Sequence, residues 1–198
     1  ASRQSRSEMR SSMKIGILAV QGAFAEHEQM LEQLGAEYIE LRKGEDVRQS
    51  YDGLILPGGE STVQGKMMRE LDMFDTIQSQ IKNGMPVLAT CAGAILLAQQ
   101  LSNDAATHLA TLPSVVRRNA YGRQLGSFSV DEQIEGIGTF PMRFIRAPYI
   151  EKVLDDTKVL AKVDGNIVMV ENKNQLAMSF HPELTSDTRI HEMFLKKI

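Results

Sequence analysis

Residues 14–20 form a nearly continuous apolar run that ends at Gln21-Gly22, the pattern of a strand buried on both faces of a parallel sheet. The period then changes: Met30, Leu31 and Leu34 recur at helical spacing across residues 25–34, and Gly35 offers a C-terminal stop. Residues 36–41 return as a second strand. Gly53-Leu54-Ile55-Leu56 runs into Pro57-Gly58-Gly59-Glu60-Ser61, after which Val63, Met67 and Leu71 fall at i, i+4 and i+8, so strand, tight turn and helix are expected. Pro86-Val87-Leu88-Ala89-Thr90 repeats the pattern, and the small and aliphatic residues 92–101 predict the next helix. Strands alternating with helices give an α/β fold, with a doubly wound, mainly parallel sheet flanked by helices.

Past Leu101 the apolar segments shorten to 126–130, 142–145, 158–163, 167–171 and 176–180, which predicts a more antiparallel second half. Asp187 is placed to cap a closing helix whose stripe is Ile190, Phe194 and Leu195. A chain of 198 residues fits one domain. Residues 1–12, rich in Arg and Ser and without an apolar run, read as an appended tag or loose terminus, leaving residues 13–198 as the domain.

Charge and cysteine usage narrow the function classes. The formal charge is −3, and removing Arg3, Arg6, Arg10 and Glu8 with the terminus takes away a net +2, leaving −5. An acidic body whose longest basic cluster is Arg117-Arg118 argues against nucleic acid. No stretch approaches the ~18 apolar residues of a membrane span, so a cytoplasmic location is expected. The single cysteine excludes an intramolecular disulfide and a cysteine-rich zinc site, which leaves Cys91 as either buried filler or a reactive thiol.

Three short motifs carry candidate chemistry, each with a plainer reading beside it. Cys91 stands at a strand-to-helix junction between small residues, Ala89-Thr90-Cys91-Ala92-Gly93, the setting of a nucleophile elbow, and equally that of an inert core thiol. His181-Pro182-Glu183 follows a strand end, where a base and its orienting carboxylate would emerge; a proline turn with a solvated Glu is the alternative. The paired glycines of Pro57-Gly58-Gly59-Glu60-Ser61 suit backbone N–H groups aimed at a developing oxyanion, or an ordinary turn with Ser61 capping a helix. His27, His108 and His191 lack ligand-like spacing, so helix-surface or loop roles are expected and no metal site. Arg117-Arg118-Asn119 is a solvated turn or a guanidinium placed for a substrate carboxylate.

Together, the glycine loop, the cysteine elbow and the terminal His-Pro-Glu, in this order, resemble class I glutamine amidotransferases. The resemblance narrows to the glutaminase subunits of pyridoxal 5'-phosphate synthase, the PdxT or YaaE type, over essentially all of residues 13–198. Ile17-Leu18-Ala19-Val20-Gln21-Gly22-Ala23-Phe24 with Glu26-His27, Arg118-Asn119-Ala120-Tyr121-Gly122-Arg123-Gln124, Phe144-Ile145-Arg146-Ala147-Pro148 and Ser179-Phe180-His181-Pro182-Glu183-Leu184-Thr185 carry it.

The resemblance implies a flavodoxin-like fold and a Cys91, His181, Glu183 triad that hydrolyses L-glutamine. It assigns glutamine binding to Gly59, Glu60, Ser61, Arg118, Ile145 and Arg146, and an oxyanion hole to Gly59 and Ala92. Ammonia would pass to a PdxS-type synthase in a large heteromeric complex, with pyridoxal phosphate (vitamin B6) as the complex's product and no cofactor on this chain. The family's elbow usually begins with Gly where Ala89 stands, and a positive φ at that position would strain the turn. Rival readings are the glutaminase of another amidotransferase, a catalytically silent regulatory subunit, and a cysteine hydrolase or chaperone on a similar fold.

Overall fold

The apolar run at the start becomes β1 (Lys14–Leu18), which pairs in parallel with β2 (Glu37–Leu41) on one side and β3 (Gly53–Leu56) on the other. The computed structural model describes residue 3 and residues 12–118 and 127–198. Between β1 and β2 lies α1 (Ala25–Gln33), which ends as expected at Gly35: φ there is 74°, and the Ala36 N–H closes the helix on the Leu31 carbonyl at 3.0 Å. The short α2 (Gly44–Val47), α3 (Ser61–Glu70) and α4 (Phe74–Lys82) precede β4 (Val87–Thr90), and α5 (Ala92–Leu97) follows it.

The second half contributes β5 (Ala98–Leu101), β6 (Leu112–Arg117), β7 (Ser127–Ile134), β8 (Gly138–Ile145), β9 (Tyr149–Val153), β10 (Lys158–Val163), β11 (Asn166–Asn172) and β12 (Gln175–Met178). A 3₁₀ turn (Pro182–Leu184) and α6 (Arg189–Leu195) close the described chain. The main sheet runs β2-β1-β3-β4-β12-β11-β9-β6-β5, with β10 branching from β11, while β7 and β8 form a separate hairpin. β2 through β12 in that order are parallel; the pairings of β11 with β12, β10 and β9, and of β9 with β6, are antiparallel.

Both faces of the parallel strands are buried, and period-two alternation divides them. Leu54, Leu56, Val87, Ala89 and Ala177 face a core completed by α2 to α5 through Val47, Met68, Ile77, Ile81 and Leu96. Ile15, Ile17, Ile55, Leu88, Leu176 and Met178 face the other, closed by Leu31 of α1, Phe194 of α6 and Phe140 of β8. That division is the doubly wound arrangement expected from the sequence, and it sets the carboxyl ends of β3, β4 and β12 side by side.

Four expectations require correction. The helix predicted over 92–101 stops at Leu97; Ala98 turns extended (φ −60°, ψ 134°) and the chain continues as β5 beside β6. Pairing to the sheet edge outweighs local helix preference there. The stripe Val63, Met67, Leu71 is not the buried face of α3: Ser61, Gln64, Gly65 and Met68 are buried, and Val63 is 43% exposed. Small and amide side chains face inward because this helix lies against loops whose carbonyls Gln64 satisfies. The N-cap of α6 is Thr188 and not Asp187, although Asp187 Oδ1 still accepts the Arg189 backbone N–H at 3.1 Å. Finally, His27 and His191 are wholly buried, not on helix surfaces. Residue 126 of the predicted 126–130 strand, and residues 119–124 of the family-like stretch, lie outside the described residues.

Candidate active site

Cys91 occupies the one-residue break between β4 and α5, with φ 51° and ψ −106°. A non-glycine residue in such a conformation costs roughly 1–3 kcal/mol and persists only where its surroundings fix it. The Cys91 N–H is held by the Met178 carbonyl of β12 at 2.9 Å, and the Cys91 carbonyl accepts the Ala94 N–H at 3.0 Å. Gly93 makes the turn fit: a Cβ there would lie 2.2 Å from the Leu56 carbonyl oxygen and 3.1 Å from the Ala89 Cβ. Ala89 itself lies in β4 and is not among the positive-φ residues, so the strain foreseen at this position falls on Cys91 instead, and the methyl of Ala89 packs into the space that Gly93 leaves.

His181 emerges just past β12, anchored by its backbone N–H to the Arg143 carbonyl at 2.8 Å. Its Nδ1 donates to Glu183 Oε1 at 2.5 Å, and both side chains are buried. Proline at the first position of the 3₁₀ turn presets that bend, so two residues suffice to bring base and carboxylate together. Burial opposes charge on His181, but hydrogen bonds to Cys91 and Glu183 overcome it and push the imidazole up to about 10. The structure therefore brings Cys91, His181 and Glu183 side by side, with Cys91 Sγ donating to the Ile145 carbonyl at 3.8 Å.

The glycine loop after β3 packs directly on this relay. A Cβ on Gly58 would stand 2.4 Å from His181 Cε1, so only glycine lets the loop lie against the imidazole. The Gly58 carbonyl accepts the Ala23 N–H at 3.0 Å, and Gln21 Oε1 accepts the Glu60 N–H at 2.7 Å. Gln64 Nε2 donates to the Gln21 and Pro57 carbonyls, each at 3.1 Å. Gly59 (φ 155°) and Glu60 are exposed at the loop tip, while Ser61 is buried at the start of α3.

Of the other predicted site residues, Ile145 is adjacent to Cys91 through its carbonyl, Ala92 opens α5 beside it, and Arg146 is exposed with φ 45°. Arg118 stands just past β6, its guanidinium paired with Asp104 at 3.1 Å and its backbone clamped by Asn103. Four residues to which the sequence assigned no role in the site lie against it: Gln21 and Gln64, which hold the glycine loop, and the buried pair His27 and His191. His27 shares its helix face with Met30 and Leu31, and His191 sits beside Ile190 with Phe194 and Leu195 one turn on, a spacing that marks both histidines as core positions.

The chain is similar to known proteins over nearly its whole length. Residues 17–198 match the SNO glutamine amidotransferase family. A protein of Desulfitobacterium hafniense named pyridoxal 5'-phosphate synthase subunit PdxT is 62% identical over 186 residues, covering 94% of each chain. One of the same name from Streptococcus pneumoniae is 52% identical over 187 residues, covering 93% of this chain and 96% of the relative. A crystal structure titled a glutamine amidotransferase superposes with a TM-score of 0.88 at 42% identity, over 92% of this chain and 97% of that one. PurLQS from Thermotoga maritima, at 17% identity and a TM-score of 0.67 over 93% and 97% of the two chains, shares the fold. With its elbow cysteine, its His-Glu relay and a family match that runs from β1 to the last residue, this chain belongs to the SNO glutamine amidotransferase family.

Proposed function

We propose that the chain hydrolyses L-glutamine to glutamate and ammonia and delivers the ammonia to a PdxS-type synthase subunit for pyridoxal 5'-phosphate formation. The observation that carries the reading is the imidazole of His181 held between the elbow thiol of Cys91 and the buried carboxylate of Glu183. Cys91 attacks the carboxamide carbon as the thiolate, with its proton on His181. Charge develops on the amide oxygen, for which the backbone N–H groups of Gly59 and Ala92 are the donors within this reading. His181 then gives its proton to the departing ammonia, leaving a γ-glutamyl thioester on Cys91. Water activated by His181 cleaves the thioester and releases glutamate. Glu183 keeps the imidazole in one tautomer and balances its charge throughout.

Gly59, Glu60, Ser61, Arg118, Ile145 and Arg146 bind glutamine in this scheme. The exposed Gly59 and Glu60 at the loop tip and the Ile145 carbonyl beside Cys91 support that assignment. Ammonia freed into neutral water is mostly protonated and loses its nucleophilicity, so the product demands a docked acceptor enzyme and an enclosed path. A loop held on Ala23, Gln21 and Gln64 by a few hydrogen bonds, with its Gly59-Glu60 tip exposed, suits adjustment by that partner, so the isolated subunit is weakly active. The lone cysteine works as a reduced thiol, in keeping with a cytoplasmic location, and among the described residues no helix is long and apolar enough to cross a membrane. Glutamate release measured with and without the matching synthase, alongside Cys91→Ala, tests the reading: partner-stimulated release that vanishes in the variant supports it, and release independent of Cys91 sinks it.

A further inference from the structure

Behind the triad, two histidines that the reaction scheme does not use are buried in contact with it. His27 of α1 and His191 of α6 are both 0% exposed, and His27 Nδ1 lies 2.9 Å from His191 Nε2. On its other side, His27 Nε2 is 3.3 Å from Thr90 Oγ1, on the residue before the nucleophile, and 3.6 Å from Glu183 Oε2. Glu183 Oε1 is engaged by His181, but Oε2 is buried without a hydrogen-bond partner among the described residues, as is His191 Nδ1. An unpaired carboxylate oxygen in so dry a place is costly, and its orientation governs where Oε1 points.

Proton placement follows from these contacts. If His27 carried its proton on Nδ1, it would donate to His191 Nε2; the remaining His191 proton would then sit on Nδ1, a buried donor with nothing to accept it. The bare Nε2 of His27 could then accept from the Thr90 hydroxyl, but it would also turn its lone pair toward the Glu183 carboxylate. The opposite arrangement leaves only an unpaired acceptor at His191 Nδ1, a milder cost than an orphaned N–H, and turns a donor toward the carboxylate: His191 Nε2–H donates to His27 Nδ1, and His27 Nε2–H faces Thr90 Oγ1 and Glu183 Oε2. At 3.6 Å the last contact is a dipole–charge attraction more than a hydrogen bond. Both rings stay neutral: burial first, then the repulsion that a charged His27 would meet from His191 and His181, holds His27 well below its ordinary range, and burial takes His191 down to about 4.

We propose that His27 is a positioning residue for the glutaminase reaction: fixed by His191 in the Nε2–H tautomer, it steadies the free oxygen of Glu183 and ties that carboxylate to Thr90 at the base of the nucleophile elbow. This inference rests on the triad reading above. His27→Asn keeps an acceptor where Nδ1 meets His191 but removes the donor toward Glu183, whereas His27→Gln restores a donor near the Nε2 position. With the synthase present, His27→Asn lowers kcat about 10-fold or more, the scale that outer hydrogen-bond partners reach in metal sites. The KM for glutamine is unchanged, and His27→Gln recovers most of the rate. Equal rates in the two variants, or a loss confined to KM, overturn the proposal.

Should both variants fail to fold, the imidazole ¹⁵N resonances of the unmutated protein decide. A protonated Nε2 on His27 supports the proposal, and a protonated Nδ1 overturns it. A wild-type protein without glutaminase activity would instead refute the triad reading itself, while leaving the tautomer measurable.

Discussion

Gly58 offers the sharpest test of how the glycine loop and the triad depend on each other. Its backbone φ is not among the positive values, so alanine is conformationally acceptable, and the effect of Gly58→Ala comes from space alone. The added methyl would lie 2.4 Å from His181 Cε1 and 3.1 Å from Nδ1, where ordinary contact begins at 3.4 Å. The ring or the loop must yield by about 1 Å, and a misplacement of that size at a reacting centre costs on the order of 10²-fold in rate. Because His181 is also held at 2.5 Å by Glu183 and through its backbone by Arg143, the loop with its exposed tip takes much of the shift, which displaces Gly59 as well. The expected result is a kcat for glutamate release about 10²-fold below wild type with the synthase bound, in a protein whose circular dichroism and melting temperature stay near wild type. A Gly58→Ala enzyme within about threefold of the wild-type kcat would refute the packing argument.

Gly93→Ala should act on the fold instead, since its Cβ would meet the Leu56 carbonyl at 2.2 Å, a backbone atom that cannot swing away. Overpacking of this kind costs about 1–3 kcal/mol, or roughly 2–4 °C in melting temperature per kcal/mol for a domain of this size; an unchanged melting temperature would count against the elbow geometry. Acid should destabilise the protein through its buried histidines. Both are depressed in the folded state, so their contribution is present above pH 6.5 and is lost as pH falls below 6.5, in the case of His191 down to about 4. Each proton bound only by the unfolded chain steepens the loss by about 1.4 kcal/mol per pH unit. Denaturant titrations from pH 7 to 4 should show this slope flatten in a His191→Asn variant, and an identical slope would contradict it. Glu28 behaves oppositely: burial and a hydrogen bond with Glu40 raise it to about 7, so its stabilisation is complete below pH 4.5 and is lost as pH rises through 7. Glu28→Gln removes that decline, and a decline that persists in the variant would assign it elsewhere.

Much of this was legible before any coordinates, for identifiable reasons. The strands β1, β3, β4 and β12 are continuous apolar runs because both their faces are covered, and such runs stand out in any sequence. Cys91, His181 and the glycine loop were legible because each sits at the carboxyl end of one of those strands, where topology gathers them. The edge was harder to read: β5, β6 and β9 owe their conformation to pairing with one another, and Ala98-Gln99-Gln100-Leu101 carries no strand signature of its own. The contacts of buried polar residues were hidden for a related reason. Gln64, His27 and His191 find their hydrogen-bond partners 7 to 164 positions away in the chain, so the helical spacing that puts the two histidines on core faces says nothing of what they bond to.

The account stands or falls on Cys91 forming a covalent intermediate with glutamine. The decisive measurement is intact-protein mass spectrometry of the acid-quenched complex, mixed with glutamine in the presence of the synthase. A γ-glutamyl adduct mapped to the peptide carrying Cys91, and absent from Cys91→Ser, is the predicted result. Glutamate production proceeding at full rate in Cys91→Ser, with no adduct in either protein, would contradict it.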